Sequence, residues 1–278
     1  MNLIKKDFAI ICYRNHGEVF TAEDIQDAVA NEAALQVYLI YGAMHSRHKF
    51  HLATLMRTPG HEEDLILGLL YTENIINEQA DVMQVRKLGK LNDNIWKVEL
   101  AENVDFSPVE HQRNLLSSSS CGVCSQVTHP SLAATVQSTT NLTISPRLIN
   151  SICNDLANHQ KLFKLTGGAH GVALYSSAGI LYSLAEDVGR HNACDKIIGA
   201  ALRNAALPLI NHYLVFSGRV SYELIQKAQR SQIKIILSIG APSALAVELA
   251  LEYGITLIGF VRARGFNVYS HSFRVINQ

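Results

Sequence analysis

The chain has 278 residues, of which 48% are hydrophobic, and its 24 basic residues balance 24 acidic ones. This length is enough for one large domain or two ordinary ones, and a formal charge of zero argues against nucleic acid or a membrane surface as a partner. No apolar run is long enough for a signal-peptide core or a membrane span, and five cysteines are too few for a disulfide framework. Together these features predict a soluble cytoplasmic protein.

The first forty residues carry no recognisable motif. Residues 1–20 show no clear hydrophobic period. The stretch from Thr21 to Tyr41 begins with a helix-start pattern, because Thr21 is followed by Asp24 and an acidic first turn. We therefore expect a short helix or a loop in this stretch.

A small mixed α/β domain is predicted for residues 1–100. Alternating residue types indicate a strand at His48–Arg57, which a Pro-Gly pair ends. An acidic start, followed by apolar residues at helical spacing, predicts a helix over His61–Ile76. Two further strands are expected at Asp81–Leu88 and Asn94–Leu100, on either side of a polar turn.

A polar connection is predicted for residues 101–145. Within it, Ser117–Ser125 reads SSSSCGVCS and carries Cys121 and Cys124, the two cysteines that lie close together in the sequence. The flanking serines and the internal glycine favour a loop, and long connections of this kind are typically functional or disordered. A thiol pair on a loop suits a sulfur atom that must travel between two partners.

Residues 146–278 alternate helices with strands, beginning with a helix at Pro146–His159. The next long helix starts at about Gly189 and carries one apolar stripe, formed by Cys194, Ile197, Ile198, Ala201 and Leu202. Two later helices are expected, one ending near Arg230 and one with Pro242 in its first turn, ending near Gly254. The predicted strands are Val172–Tyr175, Ile180–Leu184, His212–Phe216, Ile233–Ile239 and Ile255–Val261. This order argues for a three-layer α/β domain with a mostly parallel sheet.

The predicted strand ends of this domain combine small residues with hydroxyl or guanidinium groups. Ligands of open α/β sheets collect outside the carboxyl ends of the strands, where free N–H groups and helix dipoles attract anions. The segments concerned are Glu186–Asn192, Ser217-Gly218-Arg219, Ser238–Ser243 and Arg262–Gly265. We expect four arginines on one edge of the sheet, namely Arg190, Arg219, Arg262 and Arg264. Such an edge would bind a ligand with several phosphates, for example a nucleotide-containing cofactor.

His191 has two interpretations. It stands near Asp187 and Asp195 in the sequence and could act as an acid–base group. A hydrogen-bonded structural histidine fits the same pattern, and Asp187 could serve only as a helix N-cap. The residues alone leave both interpretations open.

The pair Cys121 and Cys124 has three chemical interpretations. A zinc half-site needs two further ligands, and the expected spacing is missing from the candidates His51, His111, His129 and His170. A thioredoxin-like pair opens a helix after a strand, whereas a polar run precedes this one. A persulfide carrier needs one exposed thiolate and a neighbour that assists release, which a loop pair supplies. The residues alone leave the carrier and redox interpretations open.

Several motifs, in this order along the chain, resemble the FdhD/NarQ family of formate dehydrogenase accessory proteins. They are Cys121-Gly122-Val123-Cys124, Leu165–His170, Glu186–Asn192 followed by Asp195-Lys196, Ser217–Glu223 and Leu257–Phe260. The resemblance extends from about residue 40 to residue 271. It implies that the back domain is related to the cytidine deaminase fold. The second helix start, at Ser217-Gly218-Arg219, has no cysteine of a deaminase zinc site, so we expect no permanently bound metal.

The resemblance implies a sulfur carrier. Such a protein takes persulfide sulfur from a cysteine desulfurase and passes it to the molybdenum bis(molybdopterin guanine dinucleotide) cofactor before that cofactor enters formate dehydrogenase. By position, Cys121 would hold the persulfide and Cys124 would assist. The cofactor-binding segment of the family corresponds to Phe260, Val261, Arg262, Ala263, Arg264 and Gly265, although the family more often has glycine where this chain has Ala263.

The resemblance also implies partners. They are the cysteine desulfurase, the catalytic subunit of formate dehydrogenase and the guanine-containing cofactor, and a homodimer is expected because symmetric dimers are the commonest assembly. The candidate ligand-binding set then adds to the family segment the residues Arg190, His191, Ser217, Gly218 and Arg219. The alternative function is a chaperone that holds the cofactor and docks on the dehydrogenase without moving sulfur.

Overall fold

The computed structural model describes residues 3–89, 93–109 and 141–277. The elements of the first two ranges are β1 Lys5–Asn15, β2 Phe20–Ala30, β3 Ala33–Tyr41, β4 His48–Arg57, α1 Glu62–Thr72, β5 Val82–Leu88 and β6 Ile95–Leu100. Those of the third range are α2 Pro146–His159, α3 Lys161–Thr166, β7 His170–Ser176, β8 Leu181–Asp187, α4 Arg190–Arg203, β9 His212–Phe216, α5 Tyr222–Arg230, β10 Ile235–Ser238, α6 Ala244–Glu252, β11 Thr256–Arg262 and β12 Gly265–Val268.

The amino-terminal strands form two separate sheets. β1 and β2 pair with each other as an antiparallel hairpin, and the second sheet has the order β4-β3-β6-β5, with β3 and β6 parallel. The expectation of a helix or loop over Thr21–Tyr41 is therefore wrong, because that stretch forms β2 and β3. In β3 the alternate residues Leu35, Val37 and Leu39 are fully buried, which is the pattern of a strand with one covered face.

The carboxyl-terminal sheet has the order β12-β11-β10-β9-β7-β8. β9, β10 and β11 are parallel, whereas β7, β8 and β12 each pair antiparallel with their neighbours. The α/β class is confirmed, and the expectation of a mostly parallel sheet is corrected to a mixed sheet with three parallel central strands. The predicted hairpin is β7–β8, and the predicted helix at Pro146–His159 has the expected bounds, with Ser145 Oγ accepting a hydrogen bond from the Leu148 amide. Pro242 lies just before α6, which begins after Ser243, rather than in its first turn.

Helices cover both faces of this sheet. Alternate strand residues such as Ala173 and Val215 pack against α2, whereas their neighbours Leu174 and Leu214 pack toward α4 and α5. Coverage of both faces explains the nearly continuous apolar strand β10. The predicted stripe on α4 is buried at all five positions. Within the described ranges, no helix has the length and hydrophobicity needed to cross a membrane.

The two halves of the chain meet where α1 packs on α4. A Cβ atom at Gly68 would lie 1.9 Å from the Asp195 carbonyl oxygen, and one at Gly199 would lie 1.8 Å from the Asp64 carbonyl oxygen. Glycine at both positions therefore lets the two helix backbones touch. The hydrophobic core runs through this contact from β3 to the carboxyl-terminal sheet. The domain boundaries at residues 100 and 145 stay a prediction.

Candidate functional site

The sheet topology brings most of the predicted ligand-binding residues to one edge. β8, β9, β10 and β11 all end at this edge, and the antiparallel strand β7 begins there. The segments that follow these strand ends carry Arg190 after β8, Ser217-Gly218-Arg219 after β9, and Arg262–Gly265 after β11. Adjacent strands are about 4.8 Å apart, so the edge from β8 to β11 is on the order of 20 Å long. That length suits an extended ligand.

The loops after β9 and β10 are held together by a small set of contacts. Ser238 Oγ donates a hydrogen bond to the Gly218 carbonyl oxygen at 2.7 Å. A Cβ atom at Gly240 would lie 2.6 Å from the Gly218 carbonyl carbon, so only glycine fits between these loops. The Phe260 amide donates to the Gly240 carbonyl at 3.0 Å and connects the end of β11 to the same point. Three of the predicted segments thus form one continuous backbone surface.

The segment from Phe260 to Gly265 has an irregular backbone. Phe260 has φ 54° and a side chain that is 44% exposed, and a non-glycine residue in this conformation is strained and typical of functional sites. Arg262 donates through Nη1 to the carbonyl oxygens of Ile239 and Val261. Val261 is buried in the core beside α2, so only its backbone can contact a ligand. Ala263 and Arg264 are exposed in the turn between β11 and β12, and Gly265, also exposed, begins β12.

A cleft of about 570 Å³ opens at this edge, between the α2–α3 junction and the loops after β9 and β10. Its walls include Gln160, Phe163, Gly168, His170, Ser217 and Ile239. Gln160 is 4% exposed, and its Nε2 has no hydrogen-bond partner among the residues that the structure describes. A buried amide without a partner costs free energy unless a ligand or water satisfies it. The cleft therefore has an apolar wall, and an unused donor is buried beneath its surface beside Gly171.

The rim of the cleft is positively charged. Burial lowers the pKa of His170, and the charges of Arg190, His191 and Arg219 lower it further, against a smaller opposing effect of Asp187. His170 is therefore neutral at physiological pH. Arg190 Nε is buried and has no hydrogen-bond partner within the described ranges. These groups offer cationic and neutral donors to an anionic ligand.

His191 does not contact the carboxylates that the sequence suggested. Its Nε2 lies 3.2 Å from Ser221 Oγ and 3.8 Å from Glu223 Oε2. Burial would raise the pKa of Glu223, but the favourable interactions with His191 and Ser221 outweigh burial and lower that pKa to about 2. The expected position of His191 beside Asp187 and Asp195 is therefore wrong; the interpretation as a hydrogen-bonded histidine fits the structure, and an acid–base role stays a prediction.

The two aspartates hold the fold together. Asp187 Oδ2 accepts from Lys196 Nζ at 2.7 Å and from the Thr58 amide at 3.1 Å. Asp195 accepts from Lys227 Nζ at 2.9 Å. The N-cap of α4 is Gly189 rather than Asp187, although Asp187 Oδ1 accepts a hydrogen bond from the Gly189 amide. Asp187 thus links α4 to the amino-terminal half, and Asp195 links α4 to α5.

The predicted sulfur-carrying residues Cys121 and Cys124 lie outside the described residues. Among the described cysteines, burial raises the pKa of Cys153 to about 12 and also raises the pKa of Cys194. Both are therefore poor thiolates at neutral pH. Within the described residues, no three His, Cys, Asp or Glu side chains come close enough to hold a metal ion.

Two cleft residues were missed by the sequence reasoning. Gln160 follows the predicted helix at Pro146–His159, and a lone glutamine at a helix end carries no signal. His170 was considered only as a zinc ligand and as part of a motif. The two glycines before it, Gly167 and Gly168, were the available clue, because glycines often mark a close approach of backbone to a ligand.

The comparisons with known proteins agree with one another. A family model described as the FdhD/NarQ family matches residues 31–276. A protein of Sulfurisphaera tokodaii named sulfur carrier protein FdhD is 39% identical, over 95% of this chain and 97% of its own length. Proteins of the same name are 40% identical in Sulfolobus acidocaldarius, over 90% and 92%, and 38% identical in Streptomyces coelicolor, over 81% and 83%.

A solved structure supports the fold. It is a crystal structure of a chain described as a formate dehydrogenase accessory protein from Desulfotalea psychrophila, and it superposes with a TM-score of 0.72. The two chains are 21% identical, and the match covers 98% of this chain and 100% of the other. At this identity the likeness shows the fold alone.

Proposed function

Because this chain belongs to the FdhD/NarQ family, we propose that it is a sulfur carrier that supports the maturation of formate dehydrogenase. The observation that carries the proposal is the nearly full-length match to relatives named sulfur carrier proteins. The Cys-x-x-Cys pair at Cys121 and Cys124 supplies the thiols that such a carrier needs. The cytoplasm is the expected location, and a cysteine desulfurase and the catalytic subunit of formate dehydrogenase are the expected partners.

The substrate of the carrier is proposed to be the molybdenum bis(molybdopterin guanine dinucleotide) cofactor. Its phosphates would lie along the sheet edge, between Arg190 and Arg219 at one end and the turn that carries Arg262 and Arg264 at the other. Backbone amides at the start of α4 add further donors. The proposal does not include a metal ion that is permanently bound by the protein itself.

The cleft beside this edge suits a planar heterocycle. Phe163 and Ile239 offer apolar contact. The unpartnered Nε2 of Gln160 is buried beside Gly171, and rotation of this side chain into the cleft would make it a donor for a ring carbonyl such as O6 of guanine. Adenine presents a donor at the corresponding position, so the same amide would disfavour it. The cleft would therefore select guanine while the arginines hold the phosphates.

The proposed sulfur transfer has two displacement steps. The Cys121 thiolate attacks the terminal sulfur of the desulfurase persulfide, the donor S–S bond breaks, and the donor cysteine leaves as a thiolate. Cys121 then carries the sulfur as a persulfide. In the second step the Cys124 thiolate attacks Cys121 Sγ, and a hydrosulfide leaves with both electrons of the broken bond and becomes a ligand of the molybdenum. The resulting disulfide is reduced by cellular thiols before the next cycle.

Reconstitution of formate dehydrogenase tests the carrier function. The Cys121→Ala protein is expected to bind GDP normally and to leave the dehydrogenase inactive, whereas the matched variant Cys12→Ala activates it like the wild type. Full activation by Cys121→Ala would overturn sulfur transfer and favour the chaperone alternative. Loss of GDP binding in this variant would show that the cysteine acts on the site rather than on sulfur.

A second experiment tests the cleft. Gln160→Leu removes the amide donor and is expected to weaken GDP binding roughly tenfold, the effect of one lost hydrogen bond, while ADP binding changes little. Asn158→Leu alters an exposed amide in the last turn of α2, two residues before Gln160, and serves as the control. Isothermal titration calorimetry measures both affinities. Equal losses for GDP and ADP would place the guanine elsewhere.

A further inference from the structure

Asp187 is a buried carboxylate that the proposed function does not use. It is the last residue of β8 and lies at the sheet edge where the predicted ligand-binding residues meet, which we call the ligand edge. Its Oδ2 forms an ion pair with Lys196 Nζ at 2.7 Å and accepts from the Thr58 amide at 3.1 Å. Its Oδ1 accepts from the Gly189 amide at 2.9 Å and from Asn192 Nδ2 at 3.1 Å. A carboxylate has about four acceptor sites, so Asp187 is fully occupied and does not itself bind a ligand.

The contacts of Asp187 fix the turn between β8 and α4. The bond to the Gly189 amide spans the turn itself, and the contacts with Asn192 and Lys196 reach the first two turns of α4. Gly189 is packed closely in this turn, because a Cβ atom at that position would lie 3.0 Å from Asn192 Nδ2. One carboxylate thus sets the backbone that leads into α4.

The end of β4 supplies a second set of restraints on the same turn. Thr58 Oγ1 accepts a hydrogen bond from the Val188 amide at 3.1 Å, and the Met56 carbonyl oxygen accepts one from Asn192 Nδ2 at 2.8 Å. The Thr58 carbonyl oxygen accepts from Lys196 Nζ at 2.9 Å, so the cation of the buried pair is held from the same side. The amino-terminal half therefore contributes to the shape of the ligand edge.

Arg190 is the residue that this turn places at the ligand edge. It is the first residue of α4 and directly follows the N-cap Gly189. Its Nε is buried and has no hydrogen-bond partner within the described ranges, and its charge lowers the pKa of His170 in the wall of the cleft. An arginine side chain has many rotamers, so a fixed backbone at this position limits where its guanidinium can lie.

Lys196 makes a carboxylate compatible with an anion-binding edge. A buried Asp187 without a counter-ion would be costly and would repel a phosphate. In the pair with Lys196 the side chains are 0% and 3% exposed, respectively, and the two charges cancel. Asp187 also affects the pKa of His170 less than Arg190 does. The field at the cleft is therefore set by the arginine.

We propose that Asp187 positions Arg190 at the ligand edge, with Lys196 as its counter-ion. Asp187 acts through the turn before α4 and touches no ligand. The inference rests on the proposed function, because the position of Arg190 matters only if its guanidinium contacts a phosphate of the bound nucleotide. The end of β4 then takes part in ligand binding indirectly, through Thr58.

Calorimetric titration of the full chain with GDP and with guanosine tests the proposal. Asn192→Ala removes one donor to Asp187 and keeps the buried pair with Lys196. It is expected to weaken GDP binding about fivefold, the order of one lost hydrogen bond. Guanosine binding should stay unchanged, because guanosine has no phosphate for Arg190 to contact. Thr58→Val removes the hydroxyl acceptor at the end of β4 and should have the same selective effect.

A double-mutant cycle separates positioning from a general structural role. Arg190→Ala alone should weaken GDP binding by about tenfold or more, since it removes a charge-assisted contact. On that background Asn192→Ala should have no further effect, because the side chain that it helps to position is gone. On the Arg264→Ala background, which changes the turn after β11 instead, Asn192→Ala should keep its full effect. Asp187→Asn should behave like Asn192→Ala in both backgrounds.

The outcomes distinguish this inference from the proposed function. Equal losses for GDP and guanosine, or additive effects of Asn192→Ala and Arg190→Ala, would show a purely structural role and overturn the positioning. A wild type that binds no GDP would remove the nucleotide site itself, and the positioning with it, whereas sulfur transfer is measured separately. Thermal unfolding shows whether each variant folds. If Asp187→Asn does not fold, Asn192→Ala and Thr58→Val decide, because both keep the buried ion pair.

Discussion

The contact between α1, α4 and α5 depends on a buried ion pair, and its removal gives a quantitative prediction. Lys227 Nζ lies 2.9 Å and 3.1 Å from the two carboxylate oxygens of Asp195 and 2.7 Å from Thr72 Oγ1. Glu73 Oε1 is 3.5 Å away. Burial opposes the charge on Lys227, but Asp195 and Glu73 outweigh burial and raise the pKa of the ammonium.

Lys227→Met leaves the Asp195 carboxylate buried without its cation. Loss of one partner of a buried pair costs about 3–5 kcal/mol of unfolding free energy. In Lys227→Met/Asp195→Asn both charges are removed, so the double variant should cost less than the sum of the single variants by about 2 kcal/mol or more. Asp195→Asn alone leaves the buried Lys227 ammonium without the Asp195 carboxylate and is expected to be destabilising as well.

The cost of Lys227→Met also depends on pH. Burial raises the pKa of Asp195, and without Lys227 that pKa should rise further above its unfolded value of about 3.9. Above the unfolded pKa the folded variant then binds more protons than the unfolded chain, so its stability falls as the pH rises. The deficit relative to wild type should therefore be smaller at about pH 5 than at about pH 8.

Urea unfolding followed by the fluorescence of Trp96, the single tryptophan, measures these free energies. The reasoning would be refuted if each single variant cost less than about 1 kcal/mol, the value typical of an exposed pair. Strict additivity of the two substitutions would refute it as well.

Three further predictions concern the sheet edge and the thiols. Gly240→Ala should weaken GDP binding by about 1–3 kcal/mol in calorimetry, because the new methyl group forces the loop after β9 away. The pKa of Glu223 is lowered to about 2. Its carboxylate should therefore contribute unfolding free energy that is present above its unfolded pKa of about 4.3 and is lost as the pH falls toward 2. Glu223→Gln should flatten this part of the pH profile of urea unfolding. Alkylation of the native protein at about pH 8, mapped by peptide mass spectrometry, should modify Cys12 and spare Cys153 and Cys194, because burial raises the pKa of both protected thiols.

Each of these predictions has a contrary outcome. Unchanged GDP affinity in a folded Gly240→Ala protein would show that the two loops move freely. An acid-unfolding profile that is the same with and without Glu223 would remove the role assigned to its contact with His191. Equal labelling of all three cysteines before and after unfolding in urea would show that Cys153 and Cys194 are accessible.

The carboxyl-terminal half could be predicted well from the sequence because its elements carry strong local signals. Ser145 and the proline after it mark the start of α2, and the bounds of that helix agree with the prediction. The apolar stripe on α4 was identified from its spacing, because a helix that packs on a core must bury residues at that period. The mixed character of the sheet depends on how β7 returns to pair with β9, which no local pattern encodes.

The amino-terminal hairpin could not be predicted because most residues on both of its faces are exposed in the described structure. Hydrophobic alternation arises when one face of a strand is buried, and β1 has Ile10 and Ile11 on opposite faces. Thr21 and Asp24 then mimic a helix start inside β2. A surface that is apolar on both sides gives no period that sequence reasoning can use.

The candidate site, too, could be predicted only in part from the sequence. Its placement at the strand ends followed from topology, whereas the partners of the charged residues did not. Lys196 and Lys227 neutralise Asp187 and Asp195 across distances in sequence that carry no periodic signal. The carboxylate nearest to His191 is that of Glu223, in the first turn of α5. Such pairings are decided by tertiary packing alone.

The most direct test of the central claim is intact-protein mass spectrometry after incubation with a cysteine desulfurase and cysteine. The wild type is expected to gain the mass of one sulfur atom, which a reducing thiol removes, and the Cys121→Ala protein is expected to gain none. If the wild type gains no sulfur while it still binds GDP, the carrier function is contradicted.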